Sequence, residues 1–374
     1  MQSNKEQLLK EANHVMTVCN SCRYCEGFCA VFPAMELRRV FTTADLKLLA
    51  NLCHNCRGCY YACQFIPPHE YDLNIPKTMA ELRLETHKEF VWPGFLQGFF
   101  ERSAKRTTLL SLVCVLFVFF VTLFSQGGDV LFGRHVGAGA FYTVTPYLAV
   151  MIPFSLLGLS ILFVWAMGVR NFWTAIGAPL SDLKDVPAHI QAIKDCLTLR
   201  YLGGGGHGCN YPDEAFSMNR RWLHQAVFLG FISCFAATAL AFIYEHALGW
   251  PSPFPMTSLP VILGTVGGIS ICIGAAGLLY LKDKMDPAPS SPVARSIDKP
   301  FIVLVLLTSA SGLLVMLFRE THLMGLLLTI HLGFVLAFFV ALPYGKGLHA
   351  LYRYFALVRN AQEQKRADEL HVGG

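Results

Sequence analysis

Two cysteine quartets decide how the first part of this chain folds: CNSCRYCEGFC at residues 19–29 and CHNCRGCYYAC at residues 53–63. Both have the spacing C-x2-C-x2-C-x3-C. In bacterial two-cluster ferredoxins, three closely spaced thiolates of such a run bind one [4Fe–4S] cluster and the fourth cysteine binds the other. The spacing therefore predicts two crossed clusters. Cluster one takes Cys19, Cys22, Cys25 and Cys63, and cluster two takes Cys53, Cys56, Cys59 and Cys29.

Other uses of cysteine fit this pattern less well. A zinc site normally uses two cysteine pairs with a longer gap between them, and a reducing compartment disfavours disulfides. A covalent haem signature would need a cysteine at position 50, where Ala50 stands before Cys53 and His54. The remaining five cysteines are scattered and receive no role: Cys114, Cys196, Cys209, Cys234 and Cys272.

Between the quartets, residues 34–52 contain few turn residues and carry apolar side chains at near-helical intervals. Residues 1–106 are therefore predicted to form a mainly helical, ferredoxin-like module. Its arginines could raise cluster potentials, meet an acidic partner or simply be solvated: Arg23, Arg38, Arg39 and Arg57. Its histidines are interpreted as surface or capping residues because each cluster already has four thiolates: His14, His54, His69 and His87.

The rest of the chain has the composition of a membrane protein. The whole sequence is 54% hydrophobic and only 15% charged, which excludes an ordinary soluble globule. A membrane-spanning helix needs about 20 mostly apolar residues. Six segments approach or meet that length: about 107–125, 142–169, 223–247, 257–281, 301–318 and 322–344. The predicted fold class is mainly α, with a six-helix polytopic membrane domain at residues 107–349.

Lysines and arginines predict the orientation, because loops rich in them remain on the cytoplasmic side. With the N-terminus inside, only Arg134 and Arg319 fall in external segments. The chain shows no apolar signal segment at its start. We therefore expect a multi-pass protein of the inner membrane with both termini cytoplasmic, a cytoplasmic loop at residues 170–221 and a cytoplasmic tail at residues 350–374. The net charge of +5 then follows from topology and anionic lipid, and no nucleic-acid partner is predicted.

The cytoplasmic loop contains an unusual run, GGGGHGC at residues 203–209. Consecutive glycines let a backbone turn sharply or approach another group closely. The run lacks the full phosphate-loop pattern, and no strand precedes it. We interpret it as a loop that docks against the cluster module.

Placing a histidine within a membrane costs free energy, so a histidine found there usually has a function. In an electron-transfer protein, ligation of haem iron is a frequent one. His224 and His246 lie at opposite ends of the third predicted helix and about 40° apart around it. His331 lies inside the sixth helix, and His349 lies on the same face if that helix continues beyond Pro343. These four histidines are predicted to ligate one or two b-type haems. His322 is an alternative outer ligand, and anchoring to lipid headgroups is the alternative role for the histidines near the interfaces.

Several of these motifs together resemble the tricarballylate (citrate) utilization protein B family. They are the two cysteine quartets, the loop RYLGGGGHGCNYPDE at residues 200–214, and the pair Arg220-Arg221. The similarity extends over nearly the whole chain, and the glycine loop with the following Tyr-Pro-Asp-Glu is its most specific part. The segment from His331 to His349 is also similar, more weakly, to the last haem-bearing helix of nitrate reductase gamma subunits.

The family resemblance implies a function. The chain would partner an FAD-dependent tricarballylate dehydrogenase, reoxidise its reduced flavin and pass electrons through two [4Fe–4S] clusters, and haem b, to membrane quinone. It would be the electron-transfer subunit of an oxidoreductase system, and no residue needs to perform covalent catalysis. The alternatives are a quinol-oxidising subunit of a heterodisulfide- or nitrate-reductase-type complex, and a redox-sensing or transport membrane protein.

Overall fold

The computed structural model describes residues 4–96 and 103–372, so Arg102 and the two C-terminal residues of the predicted tail lie outside the described part. Helices dominate it. In chain order they are α1 (Asn4–Cys22), α2 (Val31–Glu36), α3 (Thr43–Leu52), α4 (Gly58–Tyr61), α5 (Ile75–Phe90), α6 (Ser103–Gln126), α7 (Gly128–Leu131), α8 (Ala140–Val144), α9 (Tyr147–Ala175), α10 (Val186–Leu197), α11 (Asn219–His246), α12 (Leu259–Lys284), α13 (Pro292–Leu317), α14 (Met324–Ala341) and α15 (Leu348–Val372). Two strands of two residues each, β1 (Cys209–Asn210) and β2 (Phe216–Ser217), pair antiparallel in the loop between α10 and α11.

The cluster module is built on short helices whose ends carry the cysteines. Helix α3 begins with a capping box, in which the Thr42 side chain accepts from the Asp45 amide and the Asp45 carboxylate accepts from the Thr42 amide. It ends at Leu52, directly before the second quartet. Helix α1 contains Cys19 and ends at Cys22, the second cysteine of the first quartet. The predicted helical module is therefore present, and helix termini determine where the cysteines lie.

Within residues 4–96 and 103–372, six helices are long and apolar enough to cross a membrane, which confirms the predicted fold class. The spans are Lys105–Gln126, Tyr147–Ala175, Asn219–His246, Leu259–Lys284, Pro292–Leu317 and Met324–Ala341. Each overlaps one predicted segment. Their lipid-facing surfaces expose large apolar side chains, as expected where hydrocarbon replaces water.

The sixth membrane helix does not continue to His349. Helix α14 ends at Ala341, and α15 begins only at Leu348. Pro343 cannot supply the amide hydrogen that the next helical turn requires, and the two glycines that follow favour an irregular connection. The expectation that His331 and His349 lie on one continuous helix face is therefore wrong.

Helix α15 occupies most of the segment predicted as a tail and packs into the cluster module. Its Tyr352, Ala356 and Val358 are fully buried in the same hydrophobic core as the module helices and the C-terminal end of α9. Arg38 of the module also pairs with Glu363 of α15 at 2.8 Å. The module, α15 and the C-terminal end of α9 therefore share one core.

Within the membrane domain, α11 packs along α12 at a pair of glycines. A Cβ atom at Gly267 would lie 2.7 Å from the Gly230 carbonyl oxygen, and one at Gly230 would lie equally close to the Gly267 carbonyl oxygen. Small residues let membrane helices approach this closely and gain van der Waals contact. Any side chain at either position must separate the helices.

We expect Gly267→Val to destabilise the protein by about 1–3 kcal/mol, because overpacking against a backbone oxygen forces the helices apart. Thermal unfolding in detergent, followed by size-exclusion fluorescence, measures the change. Gly158→Val is the matched control, since a Cβ atom at Gly158 of α9 meets nothing within 4 Å. Equal melting temperatures for the two variants would contradict the close packing of α11 and α12.

Candidate metal centres

The structure brings Cys19, Cys22, Cys25 and Cys63 together around a cavity of about 260 Å³, which Cys59 also lines. Burial raises the pKa of the Cys19 thiol, and together with the neighbouring Cys63, Cys25 and Cys22 it brings this pKa to about 12. Three of these cysteines come from the first quartet and Cys63 comes from the second. Cys22 is exposed, so this group of thiols reaches the protein surface.

The other four cysteines of the two quartets form a second group, which lies deeper in the protein. Burial raises the pKa of the Cys29 thiol, and nearby Cys56 and Cys53 add to the shift. The pKa of Cys59 is raised by burial and then by Cys56, Cys29 and Cys53, with Cys25 of the first group also close. Cys53, Cys56 and Cys59 are each less than a tenth exposed. The two groups are therefore adjacent, and the second lies further from solvent.

This grouping fits two crossed [4Fe–4S] clusters, although the ligand assignment stays a prediction. Within residues 4–96 and 103–372, no three acidic, histidine or cysteine side chains converge on a single metal ion. A cluster spreads its four thiolates over four iron atoms and so requires a more open arrangement. The raised thiol pKa values mean that cluster assembly must also release protons.

The glycine loop lies against both quartets, in agreement with the docking interpretation. Gly205 has φ +77°, and a Cβ atom there would lie 3.2 Å from the Gly27 carbonyl oxygen, so only glycine fits without strain. A few residues later, the Asn210 amide donates to the Cys56 carbonyl at 3.0 Å. The loop therefore contacts one turn from each quartet.

Two arginines from distant helices meet on the turn that carries the second group. Arg83 of α5 and Arg353 of α15 both donate to the carbonyl oxygen of Cys53, the latter at 2.7 Å. The Cys53 carbonyl therefore links the module helix α5 to the C-terminal helix α15.

Arg220, in the first turn of α11, extends this contact. It donates to the carbonyl oxygens of Asn55 and His54 at 2.5 and 3.1 Å. Its guanidinium carbon lies 5.1 Å from the centre of the Tyr211 ring, and that of Arg57 lies 4.5 Å from the same ring. The second cysteine group is therefore surrounded by four cationic side chains, two of which stack on one aromatic ring.

His224 and His349 come together beside these arginines. Their ring centres are 6.2 Å apart and their planes are nearly perpendicular, at 86°. The Nδ1 atom of His349 lies 2.5 Å from the Lys346 carbonyl oxygen, so a proton on Nδ1 leaves Nε2 free to bind a metal. Histidine is a common ligand of haem iron, so His224 and His349 are the two residues that would hold a haem at this position.

The other two predicted haem ligands have different neighbours. His246 is exposed, and its two ring nitrogens lie 2.8 Å from the Tyr147 hydroxyl and 2.9 Å from the Phe242 carbonyl oxygen. The Nδ1 atom of His331 lies 3.1 Å from the Ser311 hydroxyl. The described contacts do not join these two histidines to each other.

Some expectations for the module were wrong. His54 is only 7% exposed, so it is not a surface residue, but its Nδ1 atom lies 2.7 Å from the carbonyl oxygen of Leu52, the last residue of α3, as expected for the alternative capping role. Arg57 is 3% exposed and is not a solvated arginine. Sequence reasoning also missed Arg83 and Arg353. The sequence did contain a signal for Arg353, because this residue follows the predicted haem ligand His349 by one helical turn and so lies on the same helix face.

The fold and these sites define a membrane protein with a ferredoxin-like iron–sulfur module. Two family models match the chain: "Citrate utilization protein B Fer4-like domain" over residues 12–89 and "Citrate utilization protein B" over residues 101–369. "Citrate utilization protein B" of Escherichia coli is 44% identical over 366 residues, covering 97% of this chain and 95% of that protein. No solved structure gives a significant match.

The chain belongs to the citrate utilization protein B family, which confirms the resemblance found in its sequence. Membership and the Fer4-like domain support an iron–sulfur electron-transfer role.

The crossed grouping predicts which variants share a phenotype. Cys29→Ala should remove the same reduced-cluster electron paramagnetic resonance signal as Cys53→Ala, because both thiols lie in the second group. Cys22→Ala should remove the other signal. Each variant should lower the iron content from about eight to about four atoms per chain. If Cys29→Ala instead matched Cys22→Ala, each quartet would bind its own cluster and the crossed assignment would fail.

Proposed function

We propose that this protein transfers electrons from the reduced flavin of an FAD-dependent tricarballylate dehydrogenase to membrane quinone. Its cysteine quartets hold two [4Fe–4S] clusters, and His224 and His349 hold one haem b. Such centres exchange one electron at a time, which suits a two-electron flavin donor and a two-electron quinone acceptor. One observation carries the proposal: the exposed thiol group, the buried thiol group and the histidine pair follow one another from the cytoplasmic surface to the membrane helices.

The exposed thiol group is the side that a donor protein can approach. Cys22 is exposed, and Tyr24 and Val40 are 74% and 78% exposed. Asn20 donates to the Arg38 carbonyl at 2.7 Å, which brings the Val40 segment close to the end of α1. Exposed apolar side chains beside a redox centre are typical of a surface where a partner binds. The flavoprotein therefore docks on the face formed by Tyr24 and Val40.

The neighbouring residues then connect this surface to the membrane. Cys59 of the second group lies close to Cys25 of the first. On its far side, the Cys53 carbonyl accepts from Arg353, which lies one helical turn from His349. These contacts hold the two cysteine groups and His349 in fixed positions, because α15 shares its core with the module.

The charge distribution supports a cytoplasmic module in the inner membrane. Arg134 and Arg319 are the cationic residues that this orientation places outside, and both are bonded within the outer loops. Arg134 donates to the Glu320 carbonyl at 2.8 Å, and Arg319 donates to the Phe254 carbonyl at 2.8 Å. The other lysines and arginines of the sequence fall in segments that this orientation assigns to the cytoplasmic side, in agreement with the positive-inside rule.

Reconstitution tests the overall function. In proteoliposomes that contain quinone, the protein should reoxidise the reduced flavin of the dehydrogenase at a rate set by quinone concentration. Cys22→Ala should abolish this rate because it removes a predicted ligand of the surface cluster. Flavin absorbance under anaerobic conditions follows the reaction. Electron flow only from quinol to a cytoplasmic acceptor would favour the quinol-oxidising alternative and contradict the proposal.

A pyridine haemochrome assay tests the histidine pair. Wild-type protein should contain about one haem b per chain, because only one pair of the four predicted ligands, His224 and His349, has its rings in contact in the described part of the chain. His224→Ala and His349→Ala should each lose it, while His135→Ala, in an outer loop, is the control. Retained haem in both variants would contradict this site. Loss of haem in His246→Ala or His331→Ala would instead favour the outer site predicted from the sequence.

A further inference from the structure

A cavity of about 180 Å³ lies between the second cysteine group and the membrane helices. Both His224 and His349 line it. Its two sides differ in character. On the membrane side it is lined by apolar residues of three membrane helices, including Val227, Leu278 and Phe301. On the cytoplasmic side it is lined by arginines. The cavity therefore suits an amphipathic ligand with an apolar body and an anionic end.

The cationic side of the cavity is not neutralised by the protein. Its one acidic residue, Asp298, is already held by Lys282 at 2.7 Å and by Lys346 at 2.6 Å. Five arginines line the cavity, and one of them, Arg295, pairs with Asp283 at 3.7 Å. The other four are Arg57, Arg83, Arg220 and Arg353. Among the described residues, none of these four forms an ion pair with a carboxylate. Their hydrogen bonds go to neutral acceptors, chiefly backbone carbonyl oxygens.

Two of these arginines keep unused donors inside the protein. The Nε atoms of Arg57 and Arg353 are buried and have no hydrogen-bond partner in the described part of the chain. A buried cation without a counter-charge costs several kcal/mol, and a buried donor without an acceptor adds to that cost. Cluster two would supply about two negative charges on one side. Four arginines exceed that charge, which points to a further anion in the cavity.

The helix register places two arginines beside the two histidines. Arg220 precedes His224 by four residues on α11, and Arg353 follows His349 by four residues on α15. Residues four apart lie on one face of a helix, about one turn from each other. Since α11 enters the membrane and α15 leaves it, both arginines lie on the cytoplasmic side of their histidine.

We propose that Arg220 and Arg353 bind the two propionate carboxylates of the haem that His224 and His349 hold. This inference rests on the proposed function, because it assumes that haem occupies the histidine pair. Both arginines also donate to the turn at residues 53–55, so they connect the haem carboxylates to the backbone of cluster two. They act as positioning residues as well as anion ligands.

Chemical removal of the carboxylate charge tests the proposal without a mutation. Full-length protein produced under haem limitation is titrated with haem or with haem dimethyl ester, and binding is followed by the Soret absorption. The ester should bind at least about tenfold more weakly, as expected for losing a charge-assisted hydrogen bond. Equal binding of haem and its ester would overturn the proposal. Absence of haem binding by the wild-type protein would instead refute the proposed haem site itself.

Substitutions test whether Arg220 and Arg353 are the residues that bind the haem carboxylates. Arg220→Gln and Arg353→Gln should each weaken haem binding about tenfold and reduce the preference for haem over its ester. Arg220→Lys and Arg353→Lys should restore part of the haem affinity and part of the preference for haem over its ester. The matched controls are Arg221→Gln and Arg366→Gln on the same helices, whose guanidinium groups bond to Thr198 and Asp182. Unchanged iron content and cluster signals show that a variant is folded, and unaltered ester preference in folded variants would overturn the assignment.

A free carboxylate is the other source of the same chemistry. The haem-limited protein is therefore titrated with citrate by calorimetry. Weak or undetectable binding supports haem as the source of the carboxylates. Tight citrate binding that Arg220→Gln and Arg353→Gln abolish, while haem binding stays unchanged in them, would assign the arginines to a free carboxylate and overturn the proposal.

Discussion

Much of this structure depends on one backbone oxygen. The carbonyl of Cys53 accepts hydrogen bonds from Arg83 of α5 and Arg353 of α15, two helices far apart in the chain. A hydrogen bond to a charged donor is stronger than one between neutral groups, and burial strengthens it further. The turn that begins the second quartet is therefore fixed both to its own module and to the helix that follows the last membrane span.

That link helps to hold the module against the ends of the membrane helices. The core of the module includes Tyr352, near the start of α15, and Trp173, in the last turn of α9. The glycine loop adds a third connection, because Gly205 approaches the first quartet and Asn210 bonds to the second. An electron carrier needs fixed distances between its centres. Contacts from three separate parts of the chain provide them here.

The same contacts concentrate positive charge at the boundary between module and membrane. Four arginines with no carboxylate partner among the described residues are tolerable only if anionic groups lie beside them. Reduction adds negative charge to an iron–sulfur cluster, so nearby guanidinium groups favour the reduced form and raise its potential. Charge at this boundary therefore affects both the binding of cofactors and the energetics of the electrons they carry.

The sequence by itself determined the two cysteine quartets and the six apolar spans. Both features are local in the sequence. Each cysteine quartet lies within eleven residues, and a membrane-spanning helix is recognised from about 20 consecutive apolar side chains. The adjacency of His224 and His349 was decided only by the tertiary structure, as were the burial of His54 and the place of α15 in the module core. These features join parts of the chain separated by more than a hundred residues. No local periodicity encodes them, because they arise only when helices pack and buried polar groups must find partners.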